Sequence, residues 1–451
     1  TDPDNGRFVR LPSVVFAPTI DLLTDNSGVV TVVTDTSTLA AVTFSDGGAG
    51  VHHVMSESPG RRHELRLEGL KPSTRYRYEV LLTDSRGETA HHKGATFLTP
   101  PKTGSDEPVR LAFMSDSRSG AGSIDEHYCG TNRKILDALM RESVRQRASG
   151  VVFVGDLVDG FTTEEGSLRY QLEGWSQVTA PYGAFLPIYE AMGNHEALVD
   201  MQAVGWMMGR PGRDGAEGVF ADMYTNPENG PEPTSERAPP YKETVYSFDH
   251  GNVHVAVINS NYWYRSHPWR KDHPEGERCC REGFVDDTQL AWLDADLADA
   301  RARGQKHLIV ATHEPAFPNG GHVKDAMWWH GKYEDVNAMR TRFITLLGKH
   351  RVAALITGDE HNYSRLVLDE RMGAFTKGVE HPVTQLISGG AGAPWYAQDF
   401  NAPWAAEVST FDLRQHLIVI DSVGESLVGR AVTAGGETIE TFTFPSAVGR
   451  P

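Results

Sequence analysis

Short apolar runs separated by turn signals fill the first hundred residues. The runs cover 29–34, 40–44, 63–67, 75–82 and 95–99. The breaks include Asp25-Asn26-Ser27-Gly28, Asp46-Gly47-Gly48 and Asp84-Ser85-Arg86-Gly87. Regular short strands with such turns predict an all-β sandwich. Residues 100–108, with Pro100 beside Pro101 and then polar residues, read as a linker. Past it the period changes. Apolar strand candidates at 109–114, 151–154, 253–258, 307–311, 353–356 and 383–387 alternate with helical spacing. The helical sets are Ile135/Leu139/Val144, Leu290/Leu293/Leu297 and Val336/Met339/Phe343/Leu347, with Gly348 placed to end the last. Alternating strands and helices predict an α/β layered domain. The stretch 416–444 reverts to strands around a Gly435-Gly436 turn, and 200–242, rich in Gly, Pro and Met, reads as a long inserted loop. The expected division is 1–104 for the sandwich and 105–451 for the α/β domain.

Composition narrows the function. The 451 residues carry 43 basic and 60 acidic side chains, a net charge of −17. So acidic a surface repels phosphate backbones, which argues against general binding to nucleic acid or anionic membranes. No run of 18 apolar residues predicts a membrane span. The chain opens Thr-Asp-Pro-Asp-Asn-Gly, without the marks of a signal peptide, so either none existed or it was removed. The three cysteines, Cys129, Cys279 and Cys280, form no C-x-x-C, so no structural zinc site is expected. Cys279 and Cys280 are adjacent and poorly placed to bond each other. In an oxidising compartment either could pair with Cys129; otherwise all three are free or buried thiols.

Five polar clusters carry the candidate chemistry. Asp116-Ser117-Arg118, Gly155-Asp156-Leu157-Val158-Asp159, Gly193-Asn194-His195-Glu196, His313-Glu314-Pro315 and Gly358-Asp359-Glu360-His361 each follow a strand candidate. Ligands bind at the ends of strands in α/β sheets. Asp, Asn and His are hard or borderline donors suited to Zn, Mn or Fe. One Gly-Asp after a strand is usually a turn; five such clusters in this order point to a metal site.

This order resembles that of the calcineurin-like metallophosphoesterases. The strand-rich front region and Asp359-Glu360-His361-Asn362-Tyr363-Ser364-Arg365 resemble the purple acid phosphatase branch. The resemblance implies two packed β-sheets flanked by helices, and phosphoester hydrolysis by a hydroxide that two metal ions activate. Carried over by position, Asp116 and His361 would bind the first metal, Asp156 would bridge, and Asn194 and His313 would bind the second. His195 would contact phosphate or the leaving oxygen. The front stretch Leu70-Lys71-Pro72-Ser73-Thr74-Arg75-Tyr76 resembles the corner before strand F of fibronectin type III domains, with Tyr76 bonding back to the preceding loop. The resemblance also implies an extracytoplasmic protein, secreted or periplasmic.

Two positions depart from the family pattern. Arg118 stands where a histidine is usual, and Asp359 stands for the first histidine of the last motif. Arginine is always protonated and cannot ligate a metal; it could hold a substrate phosphate or a structural ion pair. Asp359 can ligate the second metal. Asp159 falls where the branch has its ligating tyrosine, so it is a candidate replacement ligand or an acceptor that orients one. No purple tyrosinate band is then expected. His127 is a weaker replacement candidate. The aromatic groups Tyr262/Trp263/Tyr264/Trp269 and Trp328/Trp329/Tyr333 could stack a base or sugar, or simply pack the inserted loops. No nucleophile elbow, phosphate-cradling glycine loop or His-Glu-x-x-His occurs. Three readings remain: a metal-dependent phosphomono- or diesterase acting on a phosphorylated small molecule, a degenerate domain that binds a phosphoryl ligand or partner without turnover with the front domain as an adhesion module, and a one-metal hydrolase of another ester. Nothing in the sequence indicates oligomeric state.

Overall fold

Apolar residues alternate with polar ones along Gly60–Glu68 and Arg75–Asp84, and the alternate residues are buried. These strands belong to the front of the protein, described here in a computed structural model that covers residues 9–48, 50–119, 127–198, 215–234, 238–263 and 282–445. The chain divides into two compact units. One holds Thr1–Pro101 with Thr179–Pro187, the other Lys102–Val178 with Ile188–Pro451.

The front unit is an all-β sandwich. Where the apolar pattern gives two runs, at 29–34 and 40–44, the structure has one 19-residue strand, Ser27–Ser45. Its first part pairs with Thr19–Asp21 and Gly60–Glu68, and its second with His52–Met55 and Arg75–Asp84. A register shift lies between Val33 and Thr38. That irregularity lets one strand serve both layers. Val30, Val32, Val42, Leu65, Leu67, Val80 and Phe97 form the core between them. The Tyr76 hydroxyl accepts from the Lys71 amide at 3.0 Å, the corner bond expected from the sequence.

Two sheets build the second unit. In the six-stranded sheet the order is Ile188–Ala191, Gly150–Val154, Val109–Met114, His416–Val423, Ser426–Thr433 and Thr438–Thr443, the first three parallel. In the seven-stranded sheet, Val253–Val257, His307–Ala311, Ala354–Thr357 and Val383–Ser388 run parallel in that order. Antiparallel strands Tyr246–His250, Tyr363–Leu368 and Val408–Asp412 complete it. The parallel strands are buried throughout, as near-continuous apolar runs should be. Leu111, Phe113, Val152, Val154 and Ile418 of one sheet pack on Val255, Val257, Ile309, Ala311 and Ile356 of the other. Helices Asp287–Ala302 and Glu334–Lys349 cover the outer face of the seven-stranded sheet through Leu290, Leu293, Leu297, Met339, Phe343 and Leu347.

Several local expectations change. Gly348 does not end its helix, which runs to Lys349; a Cβ there would meet Val379 Cγ1 at 2.9 Å, so close packing is what requires the glycine. The left-handed residue past the helix is Arg351. Val144, expected on the buried face of helix Arg133–Arg145, is exposed. Within the expected loop of 200–242 lies a helix, Ala216–Met223. Tyr262 and Trp263 are buried; Tyr262 stacks on Tyr241, and Trp328 packs against Trp404 and Phe375. These rings pack the structure and are not left as a flat binding face. Tyr264, Trp269, Cys279 and Cys280 lie outside the described residues, as does the side chain of His127.

Candidate metal centre

The strands end in turns that strain the backbone. Asp116, Asp156 and Asp359 follow Val109–Met114, Gly150–Val154 and Ala354–Thr357, and have φ of 65°, 52° and 65°. Non-glycine residues in this left-handed region cost on the order of 1–3 kcal/mol each and persist where surroundings over-determine them. The flanking glycines are required by close approach. A Cβ at Gly193 would lie 2.2 Å from Asp156 Oδ1, and one at Gly358 would lie 2.0 Å from Ser115 Oγ.

Glu196 ties two of the turns together. Its Oε2 accepts from the amides of Asp156 (3.0 Å) and Gly193 (2.8 Å), and its Oε1 from those of Leu157 (2.9 Å) and Val158 (3.2 Å). Buried Glu360 does the same elsewhere, accepting from Gly320 (2.7 Å) and His322 (3.1 Å). Neither role is legible in the motifs, although a buried carboxylate beside a candidate ligand is itself a signal.

The structure brings together Asp116, Asp156, Asn194, His195, His313, Asp359, His361 and Arg118. One ligand atom each from Asp116, Asp156 and His361 falls within 4.8 Å of the others, and His313, Glu314 and Asp359 form a second such group. His313 Nδ1 bonds the Val154 carbonyl (2.8 Å), leaving Nε2 3.2 Å from Asp156 Oδ1, 3.9 Å from Asp359 Oδ1 and 4.0 Å from Asp116 Oδ1. His361 Nδ1 bonds the Pro394 carbonyl, leaving Nε2 3.5 Å from Asp116 Oδ1. Fixing one ring nitrogen on a carbonyl so that the other faces inward is how metal-ligating histidines are oriented. Asn194 Nδ2 donates to Glu282 Oε1 at 2.6 Å, which orients its amide.

Asp116 Oδ1, Asn194 Oδ1, His313 Nε2 and Asp359 Oδ2 are buried without a hydrogen-bond partner among the described residues. Buried polar atoms are rarely left so, and all four are metal-ligand types. The donors therefore fit a centre of two metal ions, and their chemistry is in keeping with the Zn, Mn or Fe class. Electrostatics agree. Burial, then the neighbouring Asp156 charge, pushes Asp116 up to about 7, despite an opposing pull from His313. Burial and Glu314 push Asp359 well above the usual carboxylate range.

Arg118 does not reach out to solvent. Its side chain is 12% exposed, with Nε 3.3 Å from Asp156 Oδ2 and an η-nitrogen 3.3 Å from His361 Nε2. Tyr396, a residue the motifs do not include, stacks on His361 at 4.1 Å and accepts from Arg118 at 3.4 Å. Asp159 joins neither donor group. Its Oδ2 accepts from Ser119 Oγ (2.7 Å), and its backbone carbonyl accepts from His195 Nδ1 (2.6 Å). The same turn orients His195, whose Nε2 lies 3.8 Å from Asp156 Oδ2. Burial lowers the His195 ring to about 4.

Residues 109–363 match the model of the calcineurin-like phosphoesterase family. The chain is 23% identical over 333 residues to purple acid phosphatase 23 of Arabidopsis thaliana, covering 69% of this chain and 59% of that protein. It is 26% identical over 250 residues to the manganese-dependent ADP-ribose/CDP-alcohol diphosphatase of the same plant, covering 49% and 70%. The fold is similar to that of purple acid phosphatase PPD1 from yellow lupin (Lupinus luteus) seeds, with a TM-score of 0.69 at 17% identity over 96% of this chain and 74% of that one. PhoD is also similar, with a TM-score of 0.60 at 12% identity over 97% and 90%. With the family model spanning more than half its length, the chain belongs to the calcineurin-like phosphoesterase family.

Proposed function

We propose that the protein is a metal-dependent phosphoester hydrolase acting on phosphorylated small molecules, as a mono- or diesterase. The observation that carries this is the pair of buried ligand clusters, Asp116/Asp156/His361 and His313/Glu314/Asp359, with His313 Nε2 3.2 Å from Asp156 Oδ1. In this reading Asp116, Asp156 and His361 hold the first ion, and Asp156, Asn194, His313 and Asp359 hold the second. When bound, the ions supply Lewis acidity toward water and the phosphoryl oxygens. The chain's own groups do the rest. Asp156 sets the spacing of the two donor sets. His195, held by the Asp159 carbonyl through Nδ1, presents Nε2 to exchange a proton with the leaving oxygen. Arg118 offers its guanidinium to phosphate charge that grows in the transition state.

One observation favours a binding domain without turnover. His361 Nε2 has a single lone pair, and here it accepts from Arg118; metal ligation requires that bond to break. The decisive experiment measures metal content beside hydrolysis of a chromogenic monoester and a chromogenic diester. Metal-dependent turnover of either ester, lost with a chelator and restored by Zn, Mn or Fe, supports the hydrolase. Metal-loaded protein that binds phosphate and turns over neither ester establishes the binding domain.

The front unit is proposed to be fibronectin type III-like, on the strength of the Tyr76 corner bond. Among the described residues no helix is long and apolar enough to cross a membrane. A secreted or periplasmic location, taken from the family resemblance, is part of the proposal, and fractionation of the producing cell tests it.

A further inference from the structure

Beyond the two donor sets, the Asp359 end of the site gathers four buried carboxylates among the described residues. Glu282, Glu314, Asp359 and Glu360 are all buried, at 8%, 0%, 1% and 0% exposure. Asp325 lies beside them through His322, whose Nδ1 is 3.0 Å from Asp325 Oδ1. His322 is the imidazole facing this group; His313 points its Nε2 toward Asp156. Buried carboxylates survive only if paired, protonated or bound to a cation.

The geometry selects the cation. One ligand atom each from Glu282, His322 and Asp359 lies within 4.8 Å of the others. That spacing suits one ion bonded to each atom at about 2.0–2.3 Å. Asp359 presents its two oxygens in two directions: Oδ1 is 3.9 Å from His313 Nε2, and Oδ2 is 3.4 Å from His322 Nδ1. This is the arrangement of a carboxylate shared between neighbouring ions. Beside it, Glu314 Oε2 is fully buried without a hydrogen-bond partner among the described residues, and Glu314 groups with His313 and Asp359 within 4.8 Å.

We propose that Glu282, His322 and Asp359, with Glu314 beside them, form a further divalent-cation site, joined to the two-metal centre through Asp359. A carboxylate-rich set with one imidazole suits Mn²⁺. The site rests on the two-metal reading in sharing Asp359 and in Glu282, which also orients the Asn194 amide. It ties the segments that carry Glu282 and His322 to the catalytic turns.

The test strips purified full-length protein with a chelator, reloads it with Mn²⁺ and counts bound manganese by mass spectrometry. His322→Gln is expected to bind one equivalent fewer than wild type, and Glu282→Gln at least one fewer, since Glu282 also orients Asn194 at the second ion. Equal counts in wild type and both variants overturn the site and leave a shared proton or the His322 imidazolium as the neutralising charge. If the two-metal reading alone fails, wild type binds one equivalent and His322→Gln none, so the two failures are distinguishable. Should a variant not fold, anomalous diffraction from Mn²⁺-loaded wild-type crystals decides. A peak between Glu282, His322 and Asp359 supports the site, and peaks confined to the Asp116 and His313 sets overturn it.

Discussion

At one end of the site Arg118 contributes a fixed positive charge, 3.3 Å from both Asp156 and His361. At the other, Asp359 adds a negative charge between His313 and His322. The formal changes from the family pattern cancel, yet they are chemically unequal. A guanidinium offsets charge permanently and can never ligate. A buried carboxylate must recruit its own counter-charge, and beside Glu314 and Glu282 that requirement grows. Burial, then Glu314 and Asp325, pushes Glu282 up to about 8. The site is thus polarised, with less need of a cation at the Arg118 end and more at the Asp359 end.

The largest effect is expected where the two ends meet. Asp156 faces Arg118 through Oδ2 and His313 through Oδ1. Asp156→Ala should abolish hydrolysis and lower metal content at both donor sets. A metal-loaded Asp156→Ala protein with near-normal turnover of the chromogenic esters would refute the shared-ligand assignment and with it the contrast between the ends.

His195 comes next, because it serves the chemistry without belonging to either set. His195→Ala should slow turnover by about 10²–10⁴-fold, the usual cost of a lost proton-transfer group, with metal content unchanged. If manganese or zinc is lost in proportion to activity, His195 is a ligand and the centre extends beyond the two ends described.

Arg118→His sharpens the comparison directly. It removes the fixed charge and restores a donor, so the first set should bind metal about tenfold more tightly or better, near 1.4 kcal/mol. Arg118→Ala should show a smaller gain, since it removes repulsion without adding a ligand. Unchanged metal affinity in both variants would mean that Arg118 does not oppose the first ion. A rise in KM for ester in both variants would place the guanidinium on substrate phosphate.

The two ends differ also in how far the sequence revealed them. Strand-end motifs singled out Asp116, Asp156, Asn194, His313 and His361, because parallel buried strands read as apolar runs and their turns are short. The substitutions at Arg118 and Asp359 were visible as departures from pattern. Their partners were not. Arg118 meets His361 across 243 positions, and Tyr396, Glu282 and His322 sit in segments without regular period, where no spacing argument applies. Glu196 and Glu360 lie inside the motifs, yet their work is done on backbone amides, which the sequence does not show. In the front unit the period-two pattern gave the strands but split Ser27–Ser45 in two, because polar residues at the register shift resemble a turn.

The smallest effect should come from Tyr396→Phe. The hydroxyl makes one long bond, 3.4 Å, to Arg118, while the ring stacks on His361 with planes 13° apart. The substitution keeps the ring and removes only the acceptor. A hydrogen bond from a charged donor is worth about 1.5–3 kcal/mol net, and at this length it falls short of that range, so turnover should change by less than about tenfold. The direction is informative. Freed from Tyr396, Arg118 relies more on Asp156 and His361, which tightens the guanidinium against the first set and should weaken metal binding there. The partner variant Tyr396→Ala also removes the ring that holds the imidazole plane and should weaken binding further. If Tyr396→Phe instead raises metal affinity at the first set, the hydroxyl is what holds Arg118 against His361, and the positive end of the site is fixed by Tyr396 more than by Asp156.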